Sequence, residues 1–161
     1  MDPKNFFDFN FEGLKLFLNQ DLKIEEKKVS MRSKQIWQSV YKKGSFEINN
    51  LTTFPLELRS KLNNLISLKR PKIEKKQTST DGTIKWLIKL FDGNEVECVY
   101  IPEKTRATLC ISSQVGCTLN CRFCHTGTQQ LVKNLSFTEI VNQVMIAKEQ
   151  INDWNEQKKI T

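Results

Sequence analysis

Nowhere in the 161 residues is there an apolar run approaching the roughly 18–20 residues that a membrane-spanning helix needs. The first ten residues carry Asp2 and Asp8 and have no basic stretch leading into an apolar segment, so a secretory signal is not expected. These two absences read as a cytoplasmic protein without a membrane partner. The sequence also has no internal repeat and no low-complexity tract. A disulfide framework is missing too: the 5 Cys are an odd number, and they crowd between Cys98 and Cys124. In a reducing compartment such a group reads as metal-binding or catalytic.

What is present is enough for a modest core. The hydrophobic fraction is 39%, with 10 Phe and 3 Trp, so a folded chain is expected. The net charge of +7 is unevenly placed. Residues 1–80 hold 16 Lys and Arg against 9 Asp and Glu, whereas residues 81–161 hold 9 against 9. The excess thickens at Lys69, Arg70, Lys72, Lys75 and Lys76. A basic half beside a neutral half is what phosphate contacts require, although a solvated Lys-rich surface has the same composition.

Three short helices are expected first. One covers residues 11–19, with Phe11, Leu14, Phe17 and Leu18 on one face. The second runs from about Met31 to Lys43, capped by Ser30, striped by Ile36, Trp37, Val40 and Tyr41, and ended by Gly44. The third starts near Pro55 and carries Leu58, Leu62 and Leu65. Together they predict a helical domain over residues 1–68. Asp81-Gly82 and Asp92-Gly93-Asn94 are turn signals that predict an antiparallel meander over residues 69–104. Residues 107–112 read as a buried strand. Ser136 and Glu139 form a capping box for a helix from about Phe137 to Asn152, with Ile140, Val141, Val144, Met145, Ala147 and Ile151 inward. The fold class is therefore α+β, with one β/α unit beginning in residues 105–161. One such unit cannot cover both faces of its strand, so the sequence is expected to be truncated or to need a partner chain.

Between that strand and that helix lies a Cys-rich loop, residues 113–134. Cys117, Cys121 and Cys124 are spaced C-x3-C-x2-C. Three thiolates from one short loop can hold three corners of a cubane 4Fe-4S cluster, leaving the fourth iron open. An open iron can chelate S-adenosylmethionine, and an electron from the cluster then yields a 5′-deoxyadenosyl radical. The residues alone leave a second reading open, a zinc set of Cys117, Cys121, Cys124 and His125. Against it, adjacent Cys124 and His125 chelate awkwardly and no second ligand pair exists in the sequence.

Residues 107–129, from Ala107-Thr-Leu-Cys110 through Cys117, Cys121 and Cys124 to Gln129, resemble the signature of the RlmN family of radical-SAM adenine-C2 RNA methyltransferases. Asp81-Gly82-Thr-Ile-Lys-Trp86 and Glu97-Cys-Val-Tyr-Ile-Pro-Glu103 extend the resemblance upstream, and Asn134-Leu135 and Glu139-Ile140 extend it downstream. The resemblance implies the start of a radical-SAM (β/α) barrel and methylation of adenine C2 in 23S rRNA and tRNA. It also implies a 4Fe-4S cluster and S-adenosylmethionine as cofactors, an electron donor such as flavodoxin, and a monomer at full length. It assigns Cys117, Cys121 and Cys124 as cluster ligands and Glu97 as a proton acceptor, buried near the adenine. It assigns Cys110 as the resolving cysteine, which forms a disulfide with a downstream cysteine absent here; Cys98 has no counterpart role and is expected to pack. That downstream cysteine is the methyl carrier, so this chain by itself is expected to be inactive. Other readings are a non-catalytic RNA-binding or cluster-binding fragment and a small zinc-binding module. Trp37, Trp86 and Trp154 are candidate base-stacking groups, with Trp37 expected to lie in the core.

Overall fold

The computed structural model describes residues 3–118, 129–154 and 160. It divides into two compact units, Met1–Lys69 and Arg70–Thr161.

In the first unit a two-residue strand β1 (Lys4–Asn5) pairs in parallel with β2 (Ile66–Ser67). Between them lie α1 (Phe11–Gln20), α2 (Glu26–Tyr41) and α3 (Leu56–Leu65). Asn10 caps α1, its side chain accepting the Gly13 amide at 2.7 Å. Helix α2 begins five residues before the predicted Met31, so Ser30 lies inside it and caps nothing. Its first turn is Glu-Lys-Lys, solvated, with both lysines paired to Glu25, and only Val29 there is buried. A turn without an apolar stripe leaves no periodic signal. Gly44 closes the helix as predicted, at φ +70°. The core gathers Phe6, Phe7, Leu14, Leu18, Ile36 and Leu62. Trp37 packs in an aromatic group with Phe6, Phe11 and Tyr41, at centroid distances of 5.9, 5.4 and 4.7 Å.

The second unit is built on one antiparallel sheet, β3 (Lys72–Thr78), β4 (Ile84–Lys89), β5 (Glu95–Pro102) and β6 (Ala107–Cys110), in that spatial order. Both hairpin turns form where the sequence marks them. Gly82 and Gly93 adopt φ of +85° and +89°, and Asp81 and Asp92 accept the amides of Thr83 and Asn94. One face of the sheet, with Trp86, Ile88, Val96, Cys98 and Tyr100, packs under Ile146 and Ala147 of α4 (Phe137–Gln150). Trp86 is fully buried there and offers no face to a base.

Strand β6 departs from its predicted burial. Ala107 is buried, but Thr108 and Cys110 are exposed and Leu109 is intermediate. The cause is position: β6 is the last strand of the sheet, and α4 covers only one face. It is also continuous with the meander, pairing Val99 with Cys110 and Pro102 with Ala107. On its far side Ile160, after α4, makes a parallel bridge to Ala107. Strand, helix and returning parallel residue are the opening of a β/α arrangement. Helix α4 carries the predicted capping box, Ser136 with Glu139. Its buried positions are Met145, Ile146 and Ala147 plus the polar Asn142 and Gln143, while Ile140, Val141 and Val144 are intermediate.

Candidate cluster loop and its neck

The loop that carries the cysteine motif leaves the fold through a narrow neck. Two short strands, β7 (Gln114–Val115) and β8 (Lys133–Asn134), pair antiparallel at its base. The Val132 amide donates to the Val115 carbonyl at 2.8 Å, and the Leu135 amide to the Ser113 carbonyl at 2.9 Å. Above them the Cys117 amide donates to the Gln129 carbonyl at 3.1 Å. The backbone of Cys117 is thus fixed by the neck itself.

Gly116 makes this closure possible. It sits at φ +78°, and a Cβ built there would lie 2.0 Å from the Gln130 carbonyl oxygen and 2.7 Å from its carbon. Real Cβ contacts do not fall below 3.0 Å. The obstacle is backbone, so no rotamer change relieves it.

Both limbs of the neck are tied to the scaffold. Upstream, the Ser112 amide donates to Gln143 Oε1 and the Ser112 carbonyl accepts from Gln143 Nε2, each at 2.8 Å. The buried Gln143 side chain therefore acts as a strand partner for one residue. The Ser112 hydroxyl donates to the Glu97 carbonyl at 2.8 Å. Downstream, Lys133 binds Asp92 at the β4–β5 turn and Glu139 at 2.6 Å in the capping box. The Lys133 ammonium, with the Asn94 side chain and amide, holds the Asp92 carboxyl down at about 2. The same bridges, first to Asp92 and then to Glu139, raise the Lys133 ammonium. Burial pushes Glu139 up, but Lys133 and the Ser136 amide outweigh it and leave it lowered.

The assigned residues fall into three groups. Cys117 is half-buried at the neck. Cys121 and Cys124, with His125 of the zinc alternative, lie outside the described residues; among those described, no three His, Cys, Asp or Glu gather as a metal site. Glu97 and Cys110 are brought together: Cys110 pairs with Val99, two residues from Glu97, so they share a sheet face as diagonal neighbours roughly 7–8 Å apart. Glu97 is not the expected buried carboxylate. Its side chain is 47% exposed and pairs with Lys85 at 2.8 Å, on the face opposite the one that α4 covers. Cys98 packs as expected: burial, and then the charge of Cys110, push its thiol up to about 12.

Sequence reasoning missed Ser112, Gly116, Lys133 and Gln143. Gly116 and Gln143 left some signal, a glycine directly before the first motif cysteine and an amide interrupting an apolar helix stripe. Arg70, counted in the basic run, is 6% exposed and bonded to Glu149 at 2.5 Å; it serves the scaffold.

The donor chemistry fits a thiolate-held cluster. One thiol is preplaced at a loop neck that admits no side chain before it, and the loop follows a strand and precedes a helix. The fold of the described residues is that of a radical S-adenosylmethionine methyltransferase, over the portion of that architecture this chain represents. A crystal structure of a radical SAM methyltransferase from Sphaerobacter thermophilus superposes with a TM-score of 0.82 and 29% identity, covering 99% of this chain and 45% of that one. Within that class the similarity is to RlmN. The "Dual-specificity RNA methyltransferase RlmN" of Rhodopseudomonas palustris (strain BisB5) is 50% identical over 130 residues, which are 77% of this chain and 33% of the relative. That of Bradyrhizobium sp. (strain ORS 278) is 47% identical over 140 residues, 83% and 35% respectively. No protein-family model matches the chain. The resemblance read from residues 107–129 is borne out, and the chain spans about a third of the length of these curated relatives. No helix among the described residues is long and apolar enough to cross a membrane.

Proposed function

We propose that this chain is the cluster-bearing part of a cytoplasmic radical S-adenosylmethionine enzyme that methylates adenine C2 in 23S rRNA and tRNA. The observation that carries the proposal is the neck: a backbone closure around Gly116 that sets Cys117 at the mouth of a C-x3-C-x2-C loop, in a chain half identical to RlmN over most of its length. Cys117, Cys121 and Cys124 would hold a 4Fe-4S cluster. When bound, that cluster supplies the electron for reductive cleavage of S-adenosylmethionine, drawn from a flavodoxin-type donor. Glu97 would accept a proton at its carboxylate once released from its pair with Lys85. Cys110, exposed at the end of β6 on the same face, is open to thiol exchange with a downstream cysteine. That cysteine, which would also carry the methyl group, is not found after Cys124 in this sequence. Turnover therefore needs more than these 161 residues.

The test is anaerobic reconstitution of the chain with iron and sulfide. Broad sulfur-to-iron charge-transfer absorption, lost in Cys121→Ala, is expected. Stoichiometric zinc without iron in anaerobically purified protein would overturn the cluster reading in favour of the zinc module. Methylated adenine formed by the purified chain alone would refute the requirement for further residues.

A further inference from the structure

Helix α4 ends in a regular motif with an irregular pair of side chains. The Asn152 amide donates to the Glu149 carbonyl at 3.2 Å, and the Asp153 amide to the Lys148 carbonyl at 2.8 Å, with Asn152 at φ +53°. Two such bonds around a left-handed residue are the Schellman ending of a helix. An apolar contact commonly joins the two residues that the longer bond connects. Here those residues are Lys148 and Asp153, an ion pair at 3.5 Å. The Asp153 side chain is only 1% exposed and that of Lys148 14%. The Lys148 ammonium also lies 5.1 Å from the centre of the Trp154 ring.

A buried ion pair is a poor source of stability, because desolvation offsets its attraction; its best-attested use is to fix a register. An apolar pair would close the helix as well. What the carboxylate adds is a directed acceptor. Asp153 Oδ2 accepts the Ile160 amide at 3.1 Å. Ile160 is the residue that bridges in parallel to Ala107 of β6, and its side chain packs against the core of the second unit. Between the two, Trp154 is followed by Asn-Glu-Gln-Lys-Lys, which has no apolar alternation to choose a register. A slip of one residue would turn Ile160 away from the core, and its neighbours in sequence are Lys159 and Thr161.

We infer that Asp153 is a clasp that sets the register of the chain returning to the sheet: its buried carboxylate, held by Lys148, captures the Ile160 amide and so places Ile160 opposite Ala107. Strand pairing is periodic, so this one capture assigns the place along β6, toward Cys110, of any residue that continues the strand. Asp153 acts on β6 through Ile160 and is a positioning residue. The clasp lies outside the cysteine loop and does not depend on the chemistry proposed there.

The test separates acceptor, charge and packing in the 161-residue protein. Asp153→Asn keeps an acceptor for the Ile160 amide and gives up the charge. The double variant Lys148→Leu with Asp153→Leu rebuilds the usual apolar contact and has no acceptor. Urea unfolding gives global stability, amide exchange gives the protection of Ile160, and nuclear Overhauser contacts report whether Ile160 lies beside Ala107. The double variant should unfold at a urea midpoint no lower than the wild type. It should nevertheless exchange the Ile160 amide about 10–100-fold faster, the range for a hydrogen bond to an ionised group, and lose the contact with Ala107. Asp153→Asn should keep the contact, with exchange accelerated by less than about tenfold. Ile160 still protected beside Ala107 in the double variant would overturn the clasp, since apolar packing would then set the register. Loss of the contact in Asp153→Asn would overturn it too, because the acceptor is retained. Asp153→Ala guards against a double variant that folds poorly: it removes the acceptor without adding bulk, and Ile160 protection equal to that of Asp153→Asn would overturn the clasp. Protection that falls only as far as global stability falls would do the same, leaving the pair as ordinary support.

Discussion

Replacing Gly116 with alanine asks how much of the candidate site depends on the neck. Two costs add. The first is backbone conformation: at φ +78° an L side chain costs about 1–2 kcal/mol. The second is collision. To move from 2.0 Å to the 3.0 Å that real Cβ contacts respect, the Gln130 carbonyl must retreat by 1.0 Å. That carbonyl lies between the two cross-neck hydrogen bonds, Cys117 to Gln129 and Val132 to Val115. Opening the neck stretches both, at about 0.5–1.5 kcal/mol each. The sum is about 2–5 kcal/mol, enough to open the neck locally while the sheet stays folded.

Gly93→Ala is the matched control. It has φ +89° and nothing within 4 Å of its would-be Cβ, so only the first cost applies. The difference between the two variants isolates the backbone approach. Urea unfolding gives the global stabilities, and amide exchange at Val132 and Leu135 reports the neck. Gly93→Ala should lose about 1–2 kcal/mol and leave exchange at those amides and iron uptake unchanged. Gly116→Ala should accelerate exchange there by at least tenfold, the equivalent of about 1.4 kcal/mol, and lower the iron retained after reconstitution. Equal behaviour of the two alanine variants in exchange and iron content would refute the reasoning that the neck positions Cys117.

Two further substitutions probe the ties on either limb. Gln143→Leu removes both partners of the half-buried Ser112 amide and carbonyl, and should cost about 1–3 kcal/mol by urea unfolding; Gln143→Glu keeps the acceptor for the Ser112 amide and should lose less when assayed near pH 5 than near pH 8, since only a protonated carboxyl can donate to the Ser112 carbonyl. An unchanged stability in the leucine variant would refute the tie. Asp92→Asn tests the downstream limb through pH. The Asp92 carboxyl falls from 3.8 to about 2 on folding, so its bridge stabilises above about pH 4 and is lost as pH falls through about 2. Thermal melts of wild type and Asp92→Asn should therefore differ near neutrality and converge below about pH 2; a gap that persists in acid would show that the Lys133 bridge is not its source.

The parts of this molecule legible in the sequence are those whose causes are local. Asp81-Gly82 and Asp92-Gly93 mark their turns because each aspartate satisfies an amide two residues on and each glycine supplies a positive φ. Ser136 and Glu139 mark α4 because both halves of a capping box fall within one turn. What stayed hidden depends on partners distant in the chain. The first turn of α2 is solvated and shows no stripe. The exposure of Glu97 follows the alternation of β5, whose Val96, Cys98 and Tyr100 turn inward, whereas that of β6 depends on which sheet face α4 covers. The inward amides of α4 occupy positions that apolar counting passes over, since Gln143 is buried for the sake of Ser112, 31 residues earlier.

The candidate site divides the same way. The spacing of Cys117, Cys121 and Cys124 carries the proposal of a metal-holding loop, because ligand spacing is a property of one short segment. The neck is not announced, because Gly116 is required by the Gln130 carbonyl and a glycine in a polar loop has many ordinary explanations. Yet the neck changes what the spacing means. Ser112, held by Gln143 and Glu97, and Lys133, held by Asp92 and Glu139, anchor the two limbs to three different elements of the second unit. Cys117 is fixed where those limbs meet, so the entropy of ordering its backbone is met by the fold before any iron is bound. Cys110, seven residues earlier, ends a strand on the same sheet that carries Glu97, and Ser112 links that strand end to the Glu97 carbonyl. The first proposed cluster ligand and the two residues proposed for proton and thiol chemistry are therefore set by one continuous hydrogen-bonded frame, and a change that loosens Ser112 should disturb all three at once.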